Sequence, residues 1–309
     1  MDNSDFIQWL LQAKTPSIRE ITLRRLLCRP EGDADVEAEK QRMKINGPIP
    51  VILSGQTDAG RWSGEQSYYT PKYTSTHWSM LILTELGADG SDPRMIKGVA
   101  FMLAATYNEL EMTLEKGGHG HSCFWGNLLR YALHCSQADK SQIQNIIHYL
   151  ANDAQNDWCC SYNGGLPCAW GVARALWGLA AVPSIRCSHI VEMAIQNGIA
   201  FLLENDRLIT ANYPTPGRIH PLWFRLNFPL FYQADILFVL RVLSELNSLD
   251  HPGVRHALEW LASRRVRKDH WHGSSPFRRR TWSVLSDPDE TSRWASLFSA
   301  IILHQAGME

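Results

Sequence analysis

Four of the seven cysteines in this 309-residue chain fall in polar stretches between apolar runs: Cys123, Cys159, Cys160 and Cys168. Two histidines, His119 and His121, stand just before Cys123 in Gly-Gly-His-Gly-His-Ser-Cys. Thiolate sulfur and imidazole nitrogen are the donors zinc prefers, usually four around a tetrahedron, with one position left to water or substrate in a catalytic site. Cys123 and Cys168 each precede by two residues a tryptophan, Trp125 or Trp170, that opens an apolar run. Equivalent places in successive repeats would bring them close in space, with Cys160 on the connection between them. We therefore expect zinc held by Cys123, Cys160, Cys168 and His121. Buried structural thiols and a catalytic cysteine without metal are the two other readings, since free cysteine is among the most buried residue types. Cys28, Cys135 and Cys187 lie on helix bodies or flanks and fit the buried-thiol reading.

Other side chains could join this chemistry. Tyr68, Tyr69, Tyr73, His77 and Trp78 cluster before and within one apolar run, where phenol and indole faces could line a pocket and steady a cation. Repeat packing is the alternative for all five. Lys72 beside them is either an anion contact or a solvated surface charge. Asp235 opens the run Ile-Leu-Phe-Val-Leu, as a helix N-cap or as an acid or ligand facing a cavity. His220, upstream of it, could complete a ligand set. We expect Asp235, Tyr73 and His77 as catalytic groups, and Trp78, Trp125, Trp170, Tyr68 and Tyr232 as the substrate-binding wall. The basic runs at 264–268 and 278–280 suit phosphate or carboxylate oxygens, or simply water.

The elements that must position these groups read as helices. Apolar residues recur at three- and four-residue spacing over 5–13, 17–28, 76–87, 93–108, 124–136, 140–154, 169–181, 188–205, 233–247, 251–264 and 292–306, and strand alternation is almost absent. Asp92-Pro93 and His251-Pro252 are expected helix starts. Strongly apolar helices beginning at Trp78, Trp125, Trp170, Asp235 and Trp294 alternate with amphipathic ones such as 93–108, 140–154 and 251–264. A repeat of two helices implies a stacked or closed array, and the alternation favours closure, with inner helices covered on all sides. The connections 55–75, 109–123, 155–168, 206–232 and 265–291 all precede inner helices, so they should gather at one mouth.

Composition narrows the partners. Hydrophobic residues make up 45% of the chain and charged ones 20%, enough for a sizeable core. A net charge of −1 gives no general attraction to nucleic acid, and no stacking-aromatic motif of a nucleic-acid fold accompanies the basic runs. Apolar stretches stay short of the roughly 20 residues of a spanning helix, so no stable membrane insertion is expected. The acidic start Met1-Asp2-Asn3-Ser4-Asp5 carries no secretory signal, which points to the cytoplasm and to free or metal-bound thiols.

The segment Gln56-Thr-Asp-Ala-Gly-Arg-Trp62 is a Q-x3-G-x-W element. Together with Cys123-Phe-Trp-Gly-Asn127, Trp158-Cys-Cys160, Pro167-Cys-Ala-Trp-Gly171, Phe228-Pro-Leu-Phe-Tyr-Gln-Ala-Asp235 and Ser292-Arg-Trp-Ala-Ser-Leu297 it resembles the terpenoid cyclase and protein prenyltransferase superfamily over roughly residues 50–306. The resemblance implies an all-α fold, a single α/α toroid of about five to six helical pairs over 46–309, with residues 1–45 as an N-terminal helical extension. It also implies an apolar, isoprenoid-like substrate in a central aromatic cavity. The Asp-x-Asp-Asp acid of class II cyclases and the Asp-Asp-x-x-Asp magnesium motif of class I synthases are both missing. Three functions follow as expectations: an enzyme with a Cys/His metal site, a metal-stabilised lipid-binding protein without turnover, or a helical scaffold for a protein partner.

Overall fold

Local signals explain most helix boundaries. The computed structural model describes residues 4–63, 67–117, 120–135, 140–183, 187–213, 220–266 and 270–308. Four helices, α1 (Ser4–Leu11), α2 (Pro16–Ile21), α3 (Ala34–Ile45) and α4 (Pro48–Ser54), come first. Then α5 (Thr76–Glu85), α6 (Pro93–Glu115), α7 (Ser122–His134) and α8 (Lys140–Gln155) lead to a two-residue hairpin, β1 (Cys159–Cys160) with β2 (Leu166–Pro167). After α9 (Ala169–Leu179), α10 (His189–Leu203) and the short α11 (Arg207–Thr210) come β3 (Leu226–Asn227), α12 (Ile236–Glu245), α13 (Arg255–Ser263), β4 (Gly273–Ser274) and α14 (Pro288–Gln305). Asp92 caps α6 by accepting from Arg94 N, and Asp287 caps α14 by accepting from Asp289 N, in each case just before a proline. His251 accepts from Gly253 N, but what it opens is a 3-10 turn that precedes α13.

The fold is mostly helical, as the periodicity implies, and differs from it in three places. Residues 22–26 coil as a π-helix rather than continuing α2. A polar helix, α3, and a proline-started one, α4, escape the pattern because α3 buries only Val36, Glu39 and Met43. Finally, α6 runs on to Glu115 where a connection from 109 was expected. The sequence there, Glu-Leu-Glu-Met-Thr-Leu-Glu, consists largely of good helix formers, and the first glycine comes only at Gly117, at positive φ.

Two kinds of helix alternate. In α5, α7, α9 and α12 most residues are buried, whereas α6, α8, α10 and α13 bury only a stripe. The buried helices pack in succession, α5 on α7, α7 on α9, α9 on α12 and α12 on α14, with α6, α8 and α10 packed outside them. The tightest of these contacts is α7 on α9. A Cβ at Gly126 would lie 2.3 Å from Arg174 O, and one at Gly178 would lie 2.5 Å from Gly126 O. The N-terminal helices pack on α14, where the backbone N–H groups of Lys14 and Thr15 donate to Glu290 at 3.0 and 2.9 Å. Among the described residues no helix is long and apolar enough to cross a membrane.

The Q-x3-G-x-W element is a clamp. Gln56 Nε2 donates to Arg94 O at 2.8 Å, at the start of α6, and Trp62 Nε1 donates to Ile52 O of α4 at 2.6 Å. Gly60 has a φ of 79°, in the left-handed region that favours glycine, and a side chain there would strike Lys97.

Because α7 and α9 meet backbone to backbone, Gly126→Ala should force them apart. We expect a loss of roughly 1–3 kcal/mol, the usual cost of overpacking, read as a lower urea midpoint with an unchanged m-value.

Candidate functional site

The connections expected to share one mouth largely do so. Tyr68, Tyr69 and Lys72 from the first, His121 and Cys123 from the second, Cys160 and Cys168 from the third, and His220, Trp223 and Tyr232 from the fourth line one cavity of about 720 Å³. Phe124 and Trp170, at the starts of α7 and α9, complete much of its wall. No described residue of the connection 265–291 joins that wall. That segment packs beneath it instead, where Phe277 lies 4.6 Å from the Tyr73 ring.

The cysteines sit on a hairpin and two helix starts. Cys159 pairs with Pro167 and Cys160 with Leu166, so Cys160 and Cys168 project from the same face of the ladder as diagonal neighbours. Gly164 and Gly165, both at positive φ, turn the chain between the strands, and Gly165 N returns to Cys160 O at 3.0 Å. The Cys160 and Cys168 thiols hydrogen-bond to each other. Backbone N–H groups of Tyr162, Asn163 and His121 also point at the Cys160 sulfur, whereas Cys168 receives that of Gly171. The Cys168 thiol and these three N–H groups hold Cys160 below the ordinary thiol range, and Cys168 is raised in turn. Cys123 on the same wall is pushed up to about 12 by burial.

His121 is held in place from below. Tyr149 and Asp153 of α8 grip the turn before α7: Gly120 N donates to Asp153 Oδ1 at 2.7 Å, Ser122 Oγ to the other carboxylate oxygen, and Tyr149 OH to Gly120 O. The turn puts His121 in a left-handed conformation, with its ring stacked 4.9 Å from the exposed Tyr162. His119 lies outside the described residues, as do Arg267 and Lys268. Among the described residues, no group of three or more His, Cys, Asp or Glu side chains is close enough together to hold a metal ion.

The expected residues separate into two layers. Tyr68, Tyr232 and Trp170 face the cavity, along with Cys123, Cys160, Cys168 and His121. Lys72 Nζ rests 4.8 Å from the Tyr232 ring and 5.1 Å from the Tyr69 ring. Trp78, Trp125, Tyr73, His77 and Asp235 are fully buried and do not line it. His77 stacks 4.6 Å from Phe124, and burial pushes it down to about 3, so it stays neutral. Tyr73 stacks on Phe231 at 4.3 Å. Asp235 is the N-cap of α12: it accepts from Phe238 N at 2.8 Å and from Asn227 N and Nδ2, both at 2.7 Å. Burial raises its carboxyl to about 6. The arginines of the basic runs lie on aromatic faces, Arg265 on Trp271, Arg264 on Trp260 and Arg280 on Tyr73. Of the cysteines expected to be buried structural thiols, Cys135 is buried, but Cys28 is exposed because it lies past the end of its helix at positive φ.

Several residues that line or support the cavity escaped the sequence reading. Asp153 carried a usable signal: it falls on the buried stripe Ile143, Ile146, Ile147, Leu150 of α8, where a carboxylate needs partners. Arg174 carried another, as a lone charge inside the apolar α9; its Nε and Nη2 donate to Gln233 O at 3.0 and 2.7 Å. Phe124, Tyr213 and Trp223 carried none, being ordinary apolar residues of their runs. No family model, no curated protein and no solved structure matches this chain.

Cys160 should alkylate with iodoacetamide at a rate that levels off at lower pH than an ordinary thiol near 8.5. Cys168→Ala removes the neighbouring thiol that donates to Cys160 and should move that midpoint upward. Stability follows with the matching sign. The folded protein favours the thiolate, so this contribution is present above about pH 8.5 and is lost as pH falls through the lower folded midpoint.

Proposed function

We propose that the helical pairs close into a single α/α toroid, and that the protein is an enzyme acting on an apolar substrate in its cavity with Cys160 as nucleophile. An isoprenoid is the substrate class the sequence resemblance implies. Contacts joining distant parts of the buried series support closure. Tyr73 N donates to Arg280 O at 3.1 Å and Trp282 Nε1 to Ser79 Oγ at 3.2 Å, tying the segment before α14 to α5. Arg241 of α12 reaches Glu85 of α5 at 2.7 Å.

The observation that carries the functional reading is a thiol pair set in a largely aromatic wall. Rings of Tyr68, Tyr69, Phe124, Trp170 and Tyr232 offer faces to an apolar chain. Lys72 places one positive charge beside two of those rings, suited to an electron-rich end of the substrate. Cys160 lies within the same space, its sulfur held by backbone N–H groups that favour the charged nucleophile. Cys160 and Cys168 touch, and no group of three or more candidate donors gathers among the described residues, so the nucleophile is taken as a free thiolate and zinc stays an alternative.

Titration with farnesol, followed by tryptophan fluorescence, should saturate. Trp170→Ala and Tyr232→Ala should each weaken binding about ten- to a hundredfold, roughly 1.5–3 kcal/mol for a large apolar contact. Absence of saturable binding by farnesol or a long-chain alcohol would sink the cavity reading and leave the scaffold reading, which requires a stoichiometric protein partner. Elemental analysis of protein purified without added metal decides the zinc question. About one zinc per chain would assign the thiols to a metal and remove Cys160 as a free nucleophile.

A further inference from the structure

We propose that Cys160 and Cys168 form a two-cysteine peroxidase site that reduces an apolar organic hydroperoxide held in the aromatic cavity. The inference rests on the cavity reading above and names the substrate class and chemistry for it.

Three features of the site converge. The two sulfurs already touch, as diagonal neighbours on one face of the 159–167 hairpin extended to Cys168, whose N–H donates to Trp158 O at 3.2 Å. Their surroundings differ in a way that assigns roles: the N–H groups of Tyr162, Asn163 and His121 converge on Cys160, while Cys168 receives that of Gly171 and is the more deeply buried sulfur. Cys160 is therefore the attacking sulfur and Cys168 the resolving one. The space in front of them is walled largely by rings, with Lys72 and Glu109 as its charged side chains and Glu109 taken up by the Tyr68 hydroxyl at 2.9 Å, and this mainly apolar wall favours an alkyl or aryl hydroperoxide over hydrogen peroxide or a peptide disulfide.

The chemistry closes without a metal. The Cys160 thiolate attacks the terminal oxygen of R–O–O–H, the O–O bond breaks, and the alkoxide leaves, taking the Cys168 proton to become an alcohol. Cys160 is now a sulfenic acid. The Cys168 thiolate attacks its sulfur, the S–O bond breaks, and hydroxide departs as water with one proton from solvent. The S–S bond forms, two electrons having passed from the thiol pair to the hydroperoxide. An external dithiol reduces the disulfide by exchange and restores the pair. Both sulfurs reach the cavity, and Cys168, at the start of α9, is the more deeply buried of the two.

The test treats the wild-type protein with cumene hydroperoxide, then maps disulfides by mass spectrometry after blocking free thiols. One Cys160–Cys168 disulfide should form, at least tenfold faster than with hydrogen peroxide. Cys168→Ser should instead trap the sulfenic acid at Cys160, captured by dimedone, and Cys28→Ser should react as the wild type. Oxidation elsewhere, or equal rates with the two peroxides, would overturn the proposal. Because mapping uses the wild-type chain, a variant that fails to fold does not blunt the result. Cumyl alcohol is titrated in parallel by tryptophan fluorescence. If the alcohol binds and Cys160 stays reduced, the peroxidase inference falls alone; if the alcohol does not bind and Cys160 stays reduced, the cavity reading falls with it.

Discussion

A buried indole recurs in four of the five connections and ties each of those four to a helix outside the buried series. Trp62 donates to Ile52 O at 2.6 Å, Trp158 to Asn197 Oδ1 at 2.6 Å, Trp223 to Leu208 O at 2.9 Å and Trp271 to Leu261 O at 2.8 Å. All four rings are at most 3% exposed. Each supplies a large apolar body and one N–H that must be satisfied once buried, so a single residue fixes both the depth and the direction of the chain. The cavity depends on this. Its wall is built from connections, and connections hold a shape only when pinned. Trp158 immediately precedes the cysteine hairpin, and Trp223 lies on the wall itself.

A second constraint works on the turn before α7. Buried carboxylates are costly unless their oxygens are satisfied, and Asp153 meets that condition with Gly120 N and Ser122 Oγ. The result fixes His121, whose N–H then reaches Cys160 on the neighbouring connection. A carboxylate on α8 thus helps set the charge of a sulfur it does not touch. The thiol pair is therefore held by two repeats at once, one through its own hairpin and one through the turn before α7.

Much of the fold was legible because burial leaves a period. The alternation between helices buried on all sides and helices buried on a stripe could be read from Trp78-Ser-Met-Leu-Ile-Leu against the mixed pattern of 140–154. What could not be read was a helix such as α3, with too few buried positions to leave a stripe, or the extension of α6 past 108, where only the absence of a breaker speaks. The site was legible by type more than by place. Cysteines in successive connections face one cavity, since equivalent repeat positions meet. Single-sequence spacing could not tell that Trp78 and Trp125 fall beneath the floor while Trp170 faces the cavity, because one turn of helix separates the two outcomes.

A charged sulfur in an aromatic cavity needs an explanation in energy. Removing a thiolate from water costs far more than removing a thiol, so burial alone drives a cysteine toward neutrality, as at Cys123 and Cys135. Cys160 escapes because its turn aims N–H groups at the sulfur, and because Cys168 can donate to it. Neither thiol alone would do. Cys168 lies deeper and receives one N–H, so the negative charge settles on Cys160 and the proton on Cys168. That division gives the pair direction: of two sulfurs on one cavity wall, one is the better nucleophile and the other the proton source beside it. An apolar wall then sharpens the contrast, since each hydrogen bond to the charge is stronger where water is excluded.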